Sequence, residues 1–189
     1  MSHRESWNAR YSGLSIAPSP ARVLTEYHHL LPRTGQGLDL ACGLGGNALF
    51  LAQRGLETLA WDLSEVAVQR LNEMGRAQSL PLSAEVRDVV SLPPLPESFD
   101  CVVVSRFLDR RLADPMMASL KHGGVLFYQT FTCEKNDDVG PKSTEHLLGI
   151  NELLSMFSPL RLLVYREEGT VGDRSQGWRH EAMLVGMKV

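Results

Sequence analysis

Residues 38–47 read Leu-Asp-Leu-Ala-Cys-Gly-Leu-Gly-Gly-Asn, a short apolar run that carries one acid, Asp39, and opens into a turn with glycine at 43, 45 and 46. An amphipathic stretch, 48–54, follows without a gap. Strand, tight turn and helix start in that order constrain the chain more than any other feature. Glycines in such a turn let the backbone approach a ligand closely, and the helix N-terminus turns unpaired N–H groups toward it.

The rest of the chain repeats the alternation. Val23, Leu24, Tyr27, Leu30 and Leu31 fall at helical spacing, so a helix is expected over 21–31, ending near Pro32. Strand 1 is expected over 37–42 and a helix over 46–54, closed by Gly55. Strand 2 runs over 57–61 with Asp62 at its end, and Ser64 is a good N-cap for a helix over 65–77. Strand 3 is expected over 83–87, ending before Asp88. After the proline-rich 91–98 comes a continuous apolar strand, 99–104, of the kind found in buried parallel sheets. A short helix over 114–120 and a Lys-His-Gly-Gly turn lead into strand 5, 125–131. A helix near 150–157 and two strands, about 160–167 and 181–188, complete the chain. Strands alternating with helices predict an α/β sheet covered on both faces. The last two strands have no helix between them, which predicts an antiparallel hairpin at one edge.

The chain's 189 residues suffice for one domain with a substantial core. A net charge of −3 leaves no global basic footprint, so no nucleic-acid partner is expected. No apolar run approaches bilayer-spanning length, and no membrane association is expected. Cys42, Cys101 and Cys133 are odd in number, widely spaced and form no Cys-x-x-Cys pair, which points to a reduced, cytoplasmic setting. His28, His29, His122 and His146 lack metal-ligand spacing, and no metal is expected.

Ligands of open α/β sheets bind beyond the carboxyl ends of the strands, where strand order switches. The informative positions are therefore 42–46, Asp62 and Leu63, Asp88 and Val89, Ser105 and Arg106, and 130–132. Gly43-x-Gly45-x-x-Ala48 satisfies the dinucleotide fingerprint, and Asp62 stands at the right distance for a ribose hydroxyl. Three features favour S-adenosylmethionine over a nicotinamide dinucleotide. Asp39 lies inside the first strand, where it suits a cationic amino group. Asp88 followed by Val89 pairs an acceptor with an apolar surface, as an adenine requires. The C-terminal part is too short for a separate substrate domain.

The segment 38–48 resembles motif I of class I S-adenosylmethionine-dependent methyltransferases. Ala60-Trp61-Asp62-Leu63-Ser64 resembles their second motif, Arg87-Asp88-Val89 the third, 99–104 the fourth, and Gly123-Gly124-Val125-Leu126 the turn into strand 5. The similarity covers 36–131. Gly45-Gly46-Asn47-Ala48 and Trp7-Asn8-x-x-Tyr11 resemble the tellurite-resistance-type subgroup. Ala41 stands where many members have a first glycine, and Trp61 is bulkier than usual before the acid.

The resemblance implies a single Rossmann-like domain over 1–189, with a mostly parallel seven-stranded sheet, an antiparallel C-terminal hairpin and helices on both faces. Within it, 1–35 forms an N-terminal flap and helix, 36–131 the cofactor-binding core, and 132–189 acceptor-side loops and the terminal hairpin. It implies that Ala41, Cys42, Gly43 and Gly45, with Asn47 just beyond, pack against the methionine part of the cofactor, whose product is S-adenosylhomocysteine. By the same resemblance Asp39 holds the amino group, Asp62 accepts from both ribose hydroxyls, and Asp88 faces the adenine amine with Leu63 and Val89 against the ring. Ser105 borders the methyl-transfer side.

The implied reaction is in-line methyl transfer to a small-molecule acceptor, a matter of alignment and desolvation more than of acid–base chemistry. A cofactor-binding module without transfer activity and an NAD-dependent oxidoreductase are the alternatives. No Asn-Pro-Pro-Tyr-type signature follows strand 4; Ser105-Arg106-Phe107-Leu108-Asp109-Arg110-Arg111 stands there instead. Ser105 and Arg106 are the catalytic candidates. Arg106, Arg110 and Arg111 either steer an anionic acceptor or form a solvated face with Asp109 and Asp114. Trp7 and Tyr11 either close over the cofactor or pack on the sheet edge. The loops 132–146 and 169–180 are candidates for acceptor contacts.

Overall fold

A computed structural model describes residues 2–14, 16–135 and 139–189. Seven strands form one sheet: β1 (Gln36–Leu40), β2 (Glu57–Asp62), β3 (Leu82–Val86), β4 (Phe99–Ser105), β5 (Leu120–Phe131), β6 (Arg161–Arg166) and β7 (Glu181–Met187). Their spatial order is β3-β2-β1-β4-β5-β7-β6. The first five are parallel, whereas β7 runs antiparallel to both β5 and β6. The terminal hairpin thus lies at one edge, as the missing crossover helix requires.

Strand order reverses at β1, which has β2 on one side and β4 on the other. Leu40 pairs in register with both Trp61 and Val104. Asp62, Ser105 and the glycine turn consequently end at the same sheet edge, where the crevice of a doubly wound sheet forms.

The core follows the period-two alternation of buried strands. Val102 and Val104 of β4 pack on one face with Leu38, Leu40, Leu126 and Tyr128. Cys101 and Val103 pack on the other with Phe127 and Val23. The helices are α1 (His3–Ser12), α2 (Arg22–Glu26), α3 (Gly46–Ala52), α4 (Glu65–Ala77), α5 (Ala113–Ser119) and α6 (Glu152–Met156). Ser64 caps α4 by accepting from Ala67 N–H at 3.2 Å, and Ala67, Val68 and Leu71 form its buried stripe.

Several boundaries differ from the sequence reading. Strand 1 stops at Leu40 because Ala41 turns to φ +57°, outside the extended region. The helix expected over 21–31 is five residues of α-helix followed by a 3₁₀ turn, His28–Leu30. Residues 3–12, read only as part of a flap, form α1. A capping box starts it: Ser2 Oγ accepts from Glu5 N–H at 3.2 Å, and the Glu5 carboxylate accepts from Ser2 N–H at 2.7 Å. That helix buries none of its residues, so it lacks the apolar stripe by which helices are read from sequence.

Polar contacts with α4 hold α1 instead. Ser64 Oγ donates to Asn8 Oδ1 at 2.7 Å, and Arg70 donates to the carbonyls of Tyr11 (2.6 Å), Ser12 (3.0 Å) and Leu14. No helix among the described residues is long and apolar enough to cross a membrane.

Candidate cofactor and acceptor site

The turn 41–45 contains three residues in the left-handed region, Ala41 (φ +57°), Gly43 (φ +52°) and Gly45 (φ +78°). It leaves β1 and enters α3 with backbone facing a cavity of about 540 Å³, within the range of small-molecule sites. Ala41, Cys42, Gly43 and Asn47 line it, and so do Ser105 and Arg106 across the β1–β4 gap. Trp7 and Tyr11 close it from α1. The two rings stack with centroids 5.7 Å apart, and a Cβ at Gly43 would lie 2.8 Å from Tyr11 Oη. Glycine is what lets the tyrosine hydroxyl settle on the turn. Burial, then the charge of Asp62, pushes the Tyr11 phenol up, so it stays protonated and able to donate.

Two acids stand behind the turn. Asp62, 7% exposed, holds the turn and the start of α4 together: one oxygen accepts from Gly43 N–H and the other from Ser64 N–H, each at 2.8 Å. A carboxylate offers about four acceptor positions, so Asp62 retains capacity beyond these bonds. Burial pushes its carboxyl up, against the pull of these N–H groups. Asp39, 1% exposed, accepts from Ala48 N–H at 3.0 Å and from Asn47 Nδ2 at 3.4 Å. Asn47 also donates to Ser105 Oγ at 2.9 Å and accepts from Ala21 N–H at 2.8 Å. One amide thereby ties β1, β4 and the segment before α2 together, with Asp39 beneath the cavity floor.

Burial raises the Asp39 carboxyl to about 7, the bonds from Asn47 and Ala48 opposing it. An unfolded chain releases this proton near the ordinary value of 3.8. Between those values the folded chain holds the extra proton, so this group's contribution to stability falls as pH rises, by up to about 1.4 kcal/mol per pH unit. Urea unfolding of Asp39→Asn from about pH 4 to about pH 7 should show a flatter decline than the parent. Equal slopes would mean that Asp39 ionises freely in the folded chain.

The other expected site residues lie apart. Leu63, Asp88 and Val89 do not line the cavity, and neither do Asp39 and Asp62 behind the turn. Asp88 is exposed and engaged with its own turn, accepting from Ser91 Oγ at 2.7 Å and Val90 N–H at 3.1 Å, bonds that hold its carboxyl below the usual range. Gly45 points away from the cavity, toward Leu71 of α4.

The three arginines separate. Arg110 binds Glu152 and the carbonyls of Glu145 and Leu147, and Arg111 pairs with Asp109. Only Arg106 lines the cavity. In the 169–180 loop, Arg179 donates to the carbonyls of Gly169, Val171, Asp173 and Gln176, which makes it a loop staple, while Trp178 lines the cavity. Residues 136–138 of the other candidate loop lie outside the described residues.

Sequence reasoning missed Gln129 and the 18–22 segment as cavity lining, and Glu181 behind Arg106. For Gln129 and Glu181 a signal existed: each is a polar side chain in an apolar strand, and buried polar groups need partners.

Residues 38–124 match a family model described as a methyltransferase domain. TehB of Haemophilus influenzae, a probable S-adenosyl-L-methionine-dependent methyltransferase, is 29% identical over 136 residues, covering 69% of this chain and 47% of that protein. The chain thus spans about half the length of that relative. The TehB crystal structure superposes with a TM-score of 0.72 at 21% identity, over 97% of this chain and 67% of that one. A protein studied in the conversion of a disulfide bond into a thioacetal group during echinomycin biosynthesis gives 0.74 at 22% identity, over 99% and 92%. The [4+2]-cyclase SpnF gives 0.70 at 17%, over 88% and 80%. At these identities the structural likenesses establish the fold. Residues 38–124 are thus similar to a methyltransferase-domain family, and the chain shares its fold with solved structures that include TehB, a probable S-adenosyl-L-methionine-dependent methyltransferase.

Proposed function

We propose that this chain transfers a methyl group from S-adenosylmethionine to a small-molecule acceptor by in-line displacement. One observation carries the reading: the left-handed turn after β1 opens onto a cavity whose opposite wall is the end of β4. When bound, the cofactor supplies a methyl group activated by a sulfonium and a thioether leaving group. The residues fit such a donor. Gly43 leaves backbone bare where a Cβ would collide with Tyr11, and Asp62, directly behind that turn, keeps unused acceptor capacity.

The proposed roles follow. The turn 41–45 with Asn47 cradles the amino-acid end, and Asp39 acts on its cationic amino group through water. Asp62 accepts from the ribose hydroxyls. Asp88, with Leu63 and Val89, takes the adenine outside the main cavity. Ser105 borders the transfer side; its Oγ already accepts from Asn47, so its own proton remains to donate. Arg106 orients the acceptor. Residues 1–35 serve as the flap of the same unit, with Trp7 and Tyr11 excluding water over the turn. Alignment and desolvation are the main contributions, and no base is required where the acceptor is already a soft anion. The free thiols of Cys42, Cys101 and Cys133 support a cytoplasmic setting.

A fold neighbour that is a [4+2]-cyclase makes turnover the decisive measurement. S-adenosylhomocysteine should raise the unfolding temperature, because saturation at about 100 times Kd adds about 2.7 kcal/mol. NAD(H) should not. An acceptor screen read by release of S-adenosylhomocysteine then tests transfer. Stabilisation by NAD(H) alone would overturn the reading in favour of an oxidoreductase. Cofactor binding without turnover on any acceptor would favour a binding module.

A further inference from the structure

Among the described residues no aspartate or glutamate lines the cavity, whereas Arg10, Arg22 and Arg106 do. The first two lie against aromatic rings: the Arg10 guanidinium is 5.1 Å from the Trp7 ring centre, and Arg22 is 4.8 Å from that of Trp178 while also pairing with Glu26. Arg106, more loosely set at 6.0 Å from the Phe131 ring centre, is anchored by an acid: its Nε donates to Glu181 Oε1 at 3.0 Å, and neither Nη nitrogen has a hydrogen-bond partner among the described residues. The side chain is 63% exposed, whereas its glutamate is 5% exposed.

The anchor behind it is built in layers. Gln129 Oε1 accepts from Val23 N–H at 2.8 Å, which fixes the orientation of that amide. Its Nε2 therefore donates, to Glu181 Oε2 at 2.5 Å. Each carboxylate oxygen of Glu181 thus has one donor, and the remaining charge is met by Arg106. The Arg106 backbone is turned to φ +54° and held by a 2.8 Å bond from its N–H to the Gln129 carbonyl. A non-glycine residue in that region needs surrounding structure to hold it there, and such residues cluster at functional sites.

A guanidinium anchored through Nε with both Nη groups free matches a planar carboxylate in a bidentate fork. The same cavity also presents apolar side chains, Trp7, Leu14, Ile16 and Trp178 among them. Resting on the methyl-transfer reading above, we propose that Glu181 is a positioning residue that fixes Arg106 as a carboxylate-binding fork, and that the acceptor is an organic carboxylic acid with an apolar body.

The test is calorimetry of benzoate and of its neutral analogue benzyl alcohol on the full chain saturated with S-adenosylhomocysteine. The parent should bind benzoate at least about tenfold more tightly than the alcohol, as charge-assisted paired bonds predict. Arg106→Ala and Glu181→Gln should lose that preference, and Glu181→Asp, which keeps the charge, should recover part of it. Affinity for the alcohol should stay within about twofold throughout, which a merely structural role for Glu181 would not allow. Should Glu181→Gln fail to fold, Arg106→Lys, which keeps charge without the fork, should still lose most of the preference. A parent with no preference, a preference that survives in Arg106→Ala or Glu181→Gln, or inorganic phosphate binding as tightly as benzoate would each overturn the proposal. Failure of the parent to bind S-adenosylhomocysteine would instead overturn the methyl-transfer reading itself.

Discussion

Asp62→Ala should lower the affinity for S-adenosylhomocysteine by at least about 100-fold, because a charged acceptor facing two hydroxyls contributes about 1.5–3 kcal/mol per bond. The same substitution should destabilise the chain. Asp62 is the partner of two N–H groups in buried residues, Gly43 and Ser64, and each buried donor left without an acceptor costs about 1–3 kcal/mol. The two effects are separable. Asp62→Asn keeps the side-chain volume and one acceptor oxygen, so it should recover part of the stability while still losing charge toward the ribose. Calorimetric titration below the unfolding temperature of each variant measures the first effect, and urea unfolding the second. Affinity within about threefold of the parent in folded Asp62→Ala, well short of a single charged bond, would remove Asp62 from the proposed ribose site and leave it a structural brace.

That dual position of Asp62 illustrates what can be read from sequence here. An acid two residues before a helix cap, at the end of the second strand of an alternating pattern, is a local signature, and local signatures located the turn, Asp39, Asp62 and Ser105. The edge position of the terminal hairpin also followed, because a hairpin lacking a crossover helix has one simple place to go. Two kinds of feature escaped. The first is α1, held by polar contacts to α4 and without a buried stripe; its Ser2–Glu5 capping box was legible, but periodicity carried no sign of it. The second is any partnership across the chain. Arg106 meets Glu181 and Val23 meets Gln129 over separations of 75 and 106 residues, and no local pattern encodes such a pair. The three arginines after β4 look equivalent in sequence. What distinguishes them is which acid each finds, and that is decided by the packing of β7 and α6.

Gly45→Ala is expected to cost the chain a large share of its stability. Gly45 sits at φ +78° as the N-cap of α3, and its carbonyl accepts from Leu49 N–H at 2.9 Å. A side chain there costs about 1–2 kcal/mol for the left-handed backbone alone. The Cβ would also lie 2.3 Å and 2.4 Å from the two methyl carbons of Leu71 and 2.8 Å from its Cγ. Leu71 is fully buried on α4, so it has little freedom to withdraw, and overpacking adds about 1–3 kcal/mol. The expected loss is therefore about 2–5 kcal/mol, a large share of the roughly 5–15 kcal/mol that holds a domain together. Gly55→Ala provides the contrast: its φ is +87°, yet a Cβ there meets nothing within 4 Å, so only the backbone part should appear. The collision itself is measured by a double-mutant cycle with Leu71→Ala. Removing the leucine branches opens the space that the new methyl needs, so the double variant should be more stable than the summed single effects by at least about 1 kcal/mol. Additive losses would mean that α3 and α4 shift apart to accommodate the methyl. The turn would then be expected to move with them, and affinity for S-adenosylhomocysteine would fall in step with stability.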